Sequence, residues 1–447
     1  MTYLLIIFII LILPPLTLLL LKILPLLTAK PTISVDYLTE YNTITKPPNY
    51  DPNENAAPYY QKAFEAFVDI PEDIKELEQA WPGDMNETEL NVLQTWLSSN
   101  SDSLRYLKEA SQKPYRWFQR QSADNAIFDI EAFELSKLRG AIWCLSLQAK
   151  LSAYQGSIDQ AFDQVLDLHK IGSHYSGPVT LVEQLIGIAI CQIAFNATYQ
   201  ILDRTDVNPE MLAVLQSQFE QQLKDAKKLN FSVGEEIYDY DAIQRSFTDD
   251  GNGDGRLIPG KIYKIRKDSP LKRSIFYIEA ILICLNHPGR QETLQLHKEL
   301  HRCLHGLLDQ TPWQLLQEGK SYENEIKKLT KGNFFVGDSA GSLAKVCEIW
   351  RKNKTSGEAL ITILAVLRYK ADTDLYPFAL QELVESGYIK YVPIDPYSGK
   401  SLIYKPIGDN FTLYSVGADF KDNGGVPSDW GEDEEGGDQV FWPVERY

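Results

Sequence analysis

Three stretches carry residues whose types and spacing suit metal chemistry. The first is Asp249-Asp250-Gly251-Asn252-Gly253-Asp254-Gly255-Arg256-Leu257. Counted from Asp250, the oxygen-bearing side chains Asp250, Asn252 and Asp254 take the first, third and fifth places of a calcium loop, with Gly255 at the sharp turn and Leu257 at the apolar eighth place. The glycines between them let the backbone fold tightly enough to bring alternate oxygens onto one hard cation. The twelfth place is Lys261 where a bidentate Glu belongs, so Asp249 or an acid of the preceding helix, Glu235, Glu236 or Asp239, would have to complete the shell. The same residues also read as a solvated Asx-Gly turn that needs no ion. The second stretch sets His297, His301 and His305 four residues apart on one helix face. Two such imidazoles can hold a transition metal, but the outer pair lie about 12 Å apart along the axis, so the three do not converge on one ion. No H-E-x-x-H base accompanies them, and they are expected as surface or half-buried histidines of an amphipathic helix. The third stretch is acidic: Asp419, Asp422 and Asp438, with Asp429 and Glu432 to Glu435 between. Two such charges 4 Å apart repel by roughly 4 kcal/mol at an effective dielectric of about 20, which a bound divalent cation would remove.

Covalent chemistry finds no comparable support. The chain has no P-loop and no G-x-G-x-x-G after a strand. Its five cysteines, Cys144, Cys191, Cys284, Cys303 and Cys347, stand singly on helix-like stretches and are expected as small buried apolar residues. The group Tyr115, Trp117 and Phe118 beside Arg116 and Arg120 suits either a ligand surface or helix packing, and packing is the expectation.

The elements that must position these residues are mostly helical. From Ala56 to about Lys370 apolar residues recur at helical spacing, broken at Trp81-Pro82-Gly83, Gly177-Pro178, Gly251 to Gly260, His287-Pro288-Gly289 and Gly332. Leu135, Leu138, Ile142, Leu145 and Ala149 make one stripe, Gly156 a stop, and Ile158, Ala161, Phe162, Val165 and Leu166 the returning stripe of a hairpin similar to the tetratricopeptide type. No second copy follows at about 34 residues, so a repeat array is not expected. Asn208-Pro209-Glu210 is a helix start by its cap, its proline and its early acid.

Both ends differ from this middle. Leu4 to Leu21 is free of charge for about 18 residues, enough to span a bilayer, with Pro14 and Pro15 placed to kink it. No small-residue cleavage site precedes Lys30, so a retained anchor is expected. Residues 30–54, with K-P-P-N-Y-D-P, read as a polar linker without regular structure. At the other end Asp395-Pro396 and Ser398-Gly399 make a turn, and Leu402 and Tyr404 alternate against Phe411, Leu413 and Tyr414 as a hairpin. Over the 447 residues the formal charge is −17 with 44% hydrophobic content, which supports a sizeable core and excludes a nucleic-acid partner, since phosphate binding needs a basic surface.

The run L-Y-P-F-A-L-Q-E-L, D-P-Y-S-G-K-S-L-I-Y, F-T-L-Y-S-V-G-A-D and G-G-D-Q-V resembles, in order and spacing, the globular end of major pseudopilins of type II secretion systems. It covers about a fifth of the chain. The resemblance implies a short antiparallel sheet on a helix, with a last loop binding calcium through Asp419 and Asp438, backbone oxygens near Tyr414 to Val416, and Asp422 as an addition. Met1-Thr2-Tyr3-Leu4-Leu5 lacks the processing site and acid of a pseudopilin, so filament assembly is not expected. The whole layout also looks like membrane-anchored proteins of planctomycete-type bacteria, from which no reaction is inherited.

The expected fold is mainly α, with a transmembrane anchor at 1–29, a linker at 30–54, an all-helical domain at 55–355 and an α+β antiparallel module at 356–447. The expected function is that of a single-pass, extracytoplasmic structural or interaction protein with a protein or peptide partner in the envelope. Calcium is its expected cofactor, at Asp419, Asp422 and Asp438 or at Asp250, Asn252 and Asp254. Lys22 and Lys30 argue for a cytoplasmic body by the positive-inside rule, whereas weak calcium loops fill only outside the cytoplasm, and the second argument is adopted. The alternative is an envelope hydrolase using a divalent metal.

Overall fold

The computed structural model describes residues 13–77, 79–127, 133–225, 228–229, 231, 233–263, 270–337, 340–427 and 436–444. Within them the chain is mainly helical, with one small antiparallel sheet. Helix α1 (Leu13–Thr28) holds Pro14 and Pro15 in its first turn and Pro25 inside, while Leu4 to Ile12 of the expected span lie outside the described residues. The linker expected to lack regular structure contains α2 (Tyr37–Thr45), capped by Asp36. Leu38 and Tyr41 are buried, and Gln244 holds the approach by accepting from Ser34 N and donating to the Val35 carbonyl. Burial of that apolar pair outweighs the prolines and asparagines on either side.

The body follows with α3 (Ala57–Ala66), α4 (Glu87–Ser99), α5 (Ser101–Ser111), α6 (Phe133–Tyr154), α7 (Ile158–Ser173), α8 (Leu181–Arg204), α9 (Pro209–Asp225) and α10 (Val233–Gln244). Gly156, at φ 85, turns the chain between α6 and α7. Capping boxes start α4 through Asn86 and Glu89 and α8 through Thr180 and Glu183. Among the described residues α8 alone is long and apolar enough to cross a membrane, but 56% of its apolar window is buried, against α6, α7 and α17 (Ala340–Thr373). Its apolarity serves the core. Between α10 and α17 come α11 (Pro259–Tyr263), α12 (Pro270–Asn286), α13 (Arg290–Asp309), α14 (Pro312–Gln317), α15 (Tyr322–Thr330) and α16 (Phe334–Gly337).

The C-terminal part is not separate. The expected boundary at 355/356 falls inside the 34-residue α17, which packs on α8, α9 and α15 and also on the sheet. After α18 (Leu380–Glu385), strands β1 (Ile403–Ile407), β2 (Asn410–Ser415) and β3 (Gln439–Trp442) pair antiparallel in that order. Ile403 faces Tyr414 and Ile407 faces Asn410, with a register irregularity at Leu413/Tyr414 against β3. Phe411 stacks on Trp442 at 5.4 Å, and both join Phe195, Phe219 and Ile363 in one core. Asp395 organises the D-P-Y-S-G turn from a fully buried position, accepting from Ser415 Oγ at 2.7 Å, Tyr397 N at 3.0 Å and Val416 N at 3.2 Å. Gly399, at φ 68, leaves no room for a Cβ, because the Trp313 ring lies within 2.6 Å of that place.

The aromatic and arginine group is a clamp within this packing. Arg116 and Arg120 grip Glu183 at 3.0 and 2.5 Å, and Tyr41 donates to the same carboxylate at 2.9 Å. Burial works to raise this carboxyl, but the two guanidinium groups and their hydrogen bonds bring it down to about 2. The stability it contributes is therefore present above its ordinary 4.5 and lost as pH falls through about 2. Glu183→Gln should cost roughly 3 kcal/mol at neutral pH, since it leaves two buried cations short of a partner. The gap to wild type in chemical denaturation should close between about pH 4.5 and 2; a gap that does not vary with pH would refute the clamp.

Candidate functional site

Strand β2 ends at Ser415, and after Val416 the chain reverses through three glycines with left-handed φ, Gly417, Gly424 and Gly425. This loop gathers the acids of the pseudopilin-like pattern. Asp419 accepts from Lys421 N at 3.0 Å and from the Asn423 amide at 2.8 Å. Asp438, almost wholly buried, accepts from Asn423 N at 3.2 Å and from Gly425 N at 2.6 Å. Asp422 accepts from Gly424 N and from the Tyr414 hydroxyl, each at 2.9 Å. Asn423 thus ties Asp419 to Asp438, and Tyr414 ties Asp422 to the sheet. Gly436 closes the loop so tightly that a Cβ there would fall 1.9 Å from Asp419 Oδ2. Burial raises the Asp438 carboxyl against the pull of its two backbone bonds, and the charges of Asp422 and Asp419 raise it further. An oxygen-only donor set under like-charge strain fits a hard divalent cation. Asp429 and Glu432 to Glu435 lie outside the described residues.

The Asp250 loop satisfies itself differently. Asp250 Oδ1 accepts from Asn252 N at 2.8 Å and Asp254 N at 3.3 Å, as in an Asx turn. Asp249 Oδ1 accepts from Gly251 N and Gly253 N, and its other oxygen pairs with Arg290 at 3.1 Å. Asp254 reaches across to the start of α13 and accepts from Gln291 N at 3.0 Å. These backbone bonds hold Asp249 and Asp254 below the usual carboxylate range. Of the acids expected to complete a shell, Asp249 is on Arg290, Glu235 accepts from Leu181 N at 2.8 Å, and Asp239 lies against histidines.

Those histidines are a correction. His297 and His301 are 4% and 3% exposed rather than at the surface, because their face of α13 packs on α10. Asp239 of α10 places Oδ2 3.0 Å from His301 Nε2 and 3.3 Å from His297 Nδ1. His305 stands apart, half-buried with its ring edge-on to Phe231. Nothing in the spacing of α13 names Asp239 as a partner, since the contact to His301 spans 62 residues.

A cavity of about 550 Å³ opens among α7, α8, the end of α9, α17 and residues 389–393. Ile188, Leu223, Trp350, Ile361 and Ile389 give it apolar walls. Lys224, Lys228, Lys354 and Lys390, all exposed, line it as well. Gly172 and Gly187 let α7 and α8 touch on one side, where a Cβ on Gly187 would lie 2.6 Å from the Gly172 carbonyl. His169 lines the cavity with Nδ1 2.6 Å from Gln222 Oε1, and burial lowers it to about 4, so the ring is neutral and Nε2 is left as acceptor. Burial pushes the Cys191 thiol up to about 12, which keeps it protonated and poorly nucleophilic. This lining comes from five separate segments, and its one trace in the sequence is the basic run K-D-A-K-K from Lys224 to Lys228. Comparison of the chain with protein-family models, with curated proteins and with solved structures finds no match in any of the three.

Proposed function

We propose that this chain is a membrane-anchored, extracytoplasmic binding protein whose cavity takes an amphipathic anion, and whose C-terminal module is stiffened by calcium. The observation that carries the reading is the cavity's composition. In a chain with 61 acidic and 44 basic residues, four lysines outnumber the two glutamates, Glu220 and Glu358, at one mostly apolar cavity. Its volume of about 550 Å³ lies in the range of small-molecule sites, roughly 300 to 1,000 Å³. A carboxylate with an apolar tail would meet lysines with its head and Ile188, Leu223 and Trp350 with its tail. With Cys191 protonated and His169 neutral, the lining favours binding over covalent chemistry.

Calcium and the anchor enter through neighbouring parts. Residues 389–393, one wall of the cavity, lead into the Asp395 turn, and Asp395 bonds Ser415 and Val416 at the root of the acidic loop. Order in that loop therefore bears on the cavity wall. For the anchor, α1 exposes Leu21 and Leu24 at 71% and 57%, and α12, which packs on α1, exposes Ile278 and Leu282 at 60% and 54%. Exposed apolar residues on two contacting helices suit a membrane surface. The alternative of a divalent-metal hydrolase draws on Asp239, His297 and His301, without a substrate pocket described at them.

Three measurements test this reading on the detergent-solubilised full chain. Dodecanoate should bind with a micromolar Kd in calorimetry, weakened about tenfold or more by Lys354→Glu with Lys390→Glu and by Ile361→Trp, about 1.4 kcal/mol per decade. Absence of binding to wild type rejects the ligand class. Calcium at about 100 times its Kd should stabilise by roughly 2.7 kcal/mol and raise the melting temperature by several degrees, an effect reversed by chelator and abolished in Asp419→Ala with Asp438→Ala. A double variant that still responds moves the site to the Asp250 loop. The full chain should remain in the membrane fraction after a carbonate wash, and its release would remove the anchor.

A further inference from the structure

The cluster of Asp239, His297 and His301 is used neither by the cavity nor by the calcium loop. We propose that it is a binding site for a borderline divalent transition metal of the zinc class, with three protein ligands and an open coordination position. The reading stands independently of the ligand and calcium assignments above.

The argument begins with what each ring can do. His297 and His301, one turn apart on α13, project from the same face, and Asp239 comes to them from α10. One ligand atom from each residue lies within 4.8 Å of the other two. Two donors bound at about 2.0 to 2.1 Å on a tetrahedral ion sit roughly 3.4 Å apart. The contacts from Asp239 Oδ2, 3.0 Å to His301 Nε2 and 3.3 Å to His297 Nδ1, are close to that edge length.

His301 bonds the Phe231 backbone carbonyl through Nδ1. A carbonyl only accepts, so Nδ1 carries the proton, and in the neutral ring Nε2 presents a lone pair to Asp239. Lone pair against carboxylate is repulsive unless a cation stands between them. An imidazole whose far N–H is held by a backbone carbonyl is the arrangement that orients metal-bound histidines. His297 points the same way. It is only 4% exposed, yet neither ring nitrogen makes an aligned hydrogen bond among the described residues. A buried polar atom left so is destabilising, and coordination by Nδ1 would relieve one of the two.

The donor set selects the ion. Two imidazoles and one carboxylate suit zinc, cobalt or nickel, whereas calcium takes six to eight oxygens. Asp239 contributes one negative charge and the neutral rings none, so a divalent ion leaves a net positive charge beside Glu235. Glu235 lies one turn before Asp239 on α10 and is bound to Leu181 N, where it can balance that charge from outside the ligand shell. The rival arrangement is an imidazolium held between Phe231 and Asp239 with no metal, and it leaves the His297 nitrogens unsatisfied.

The test uses the full chain in detergent, stripped with chelator and titrated with Co2+ under excess Ca2+. The expected result is saturable uptake at one ion per chain with the intense visible bands of tetrahedral cobalt, displaced by Zn2+. Affinity should fall about 100-fold or more in His297→Gln and in His301→Gln and stay within about threefold in His305→Gln. Asp419→Ala with Asp438→Ala should leave the cobalt spectrum intact. Wild type that takes up no cobalt, or takes it up without tetrahedral bands, overturns the proposal without any variant. So does unchanged affinity in His297→Gln. Should either glutamine variant fail to fold by circular dichroism, the wild-type spectrum and stoichiometry decide.

Discussion

Helix α17 buries Ala359, Leu360, Ile363, Leu364, Ala365 and Val366 completely, and these positions point around the whole helix rather than along one stripe. A helix apolar on every side needs partners on every side. On one side these are α8 and α9, admitted by Gly357, where a Cβ would lie 2.9 Å from Leu223 and 3.3 Å from Phe195. On the other they are β2 and β3, which bring Phe411, Leu413, Phe441 and Trp442 into the same core. The sheet alone, with three short strands, would bury too little to fold independently. The helix therefore packs against helical body and sheet in one core, and Ile389, in one wall of the cavity, belongs to that core.

Acidity is the second organising pressure, and the chain meets it by giving buried and half-buried carboxylates different partners. Glu183 has two arginines and a tyrosine, Asp395 has hydroxyl and backbone donors, and Asp239 has two imidazoles. Asp241 is held by Arg245 at 2.8 Å and also accepts from Ile127 N. Asp438 differs in facing two further acids, Asp419 and Asp422, with backbone donors and, among the described residues, no basic side chain bonded to it. Burial without a counter-charge is tolerable for a carboxylate that shares a cation or keeps a proton. That contrast within one molecule separates the terminal loop from the ordinary ion pairs around it.

Much of the fold was legible because it rests on local pattern. The α6–α7 hairpin follows from two apolar stripes and Gly156, and the β1–β2 hairpin from Tyr404 alternating against Phe411 and Leu413. Asp419, Asp422 and Asp438 were named through the pseudopilin resemblance, and the structure ties Asp419 to Asp438 through Asn423. What spacing does not encode is depth and long-range partnership. The histidines of α13 look amphipathic in sequence, yet Leu300 and Leu304 beside them are completely buried, so the polar residues of that face go under with the apolar ones. The 37–45 helix was hidden because nine residues between prolines have little intrinsic helicity, and burial of Leu38 and Tyr41, with Tyr41 reaching Glu183, holds it.

The two proposed cation sites would stay separate in one chain because their donors differ in kind and in rigidity. The terminal loop offers oxygens on a backbone bent through glycines, which can adjust to a large ion with variable coordination. Asp239, His297 and His301 stand on two helices packed face to face, so their separations are fixed by side-chain packing, as a smaller ion of strict geometry requires. Calcium gains little from two imidazole nitrogens, and zinc gains less from a carboxylate loop than from those nitrogens. Selectivity in each place therefore follows from which element carries the donors: a glycine-bent loop for the oxygen set, and the α10–α13 contact for the nitrogen set.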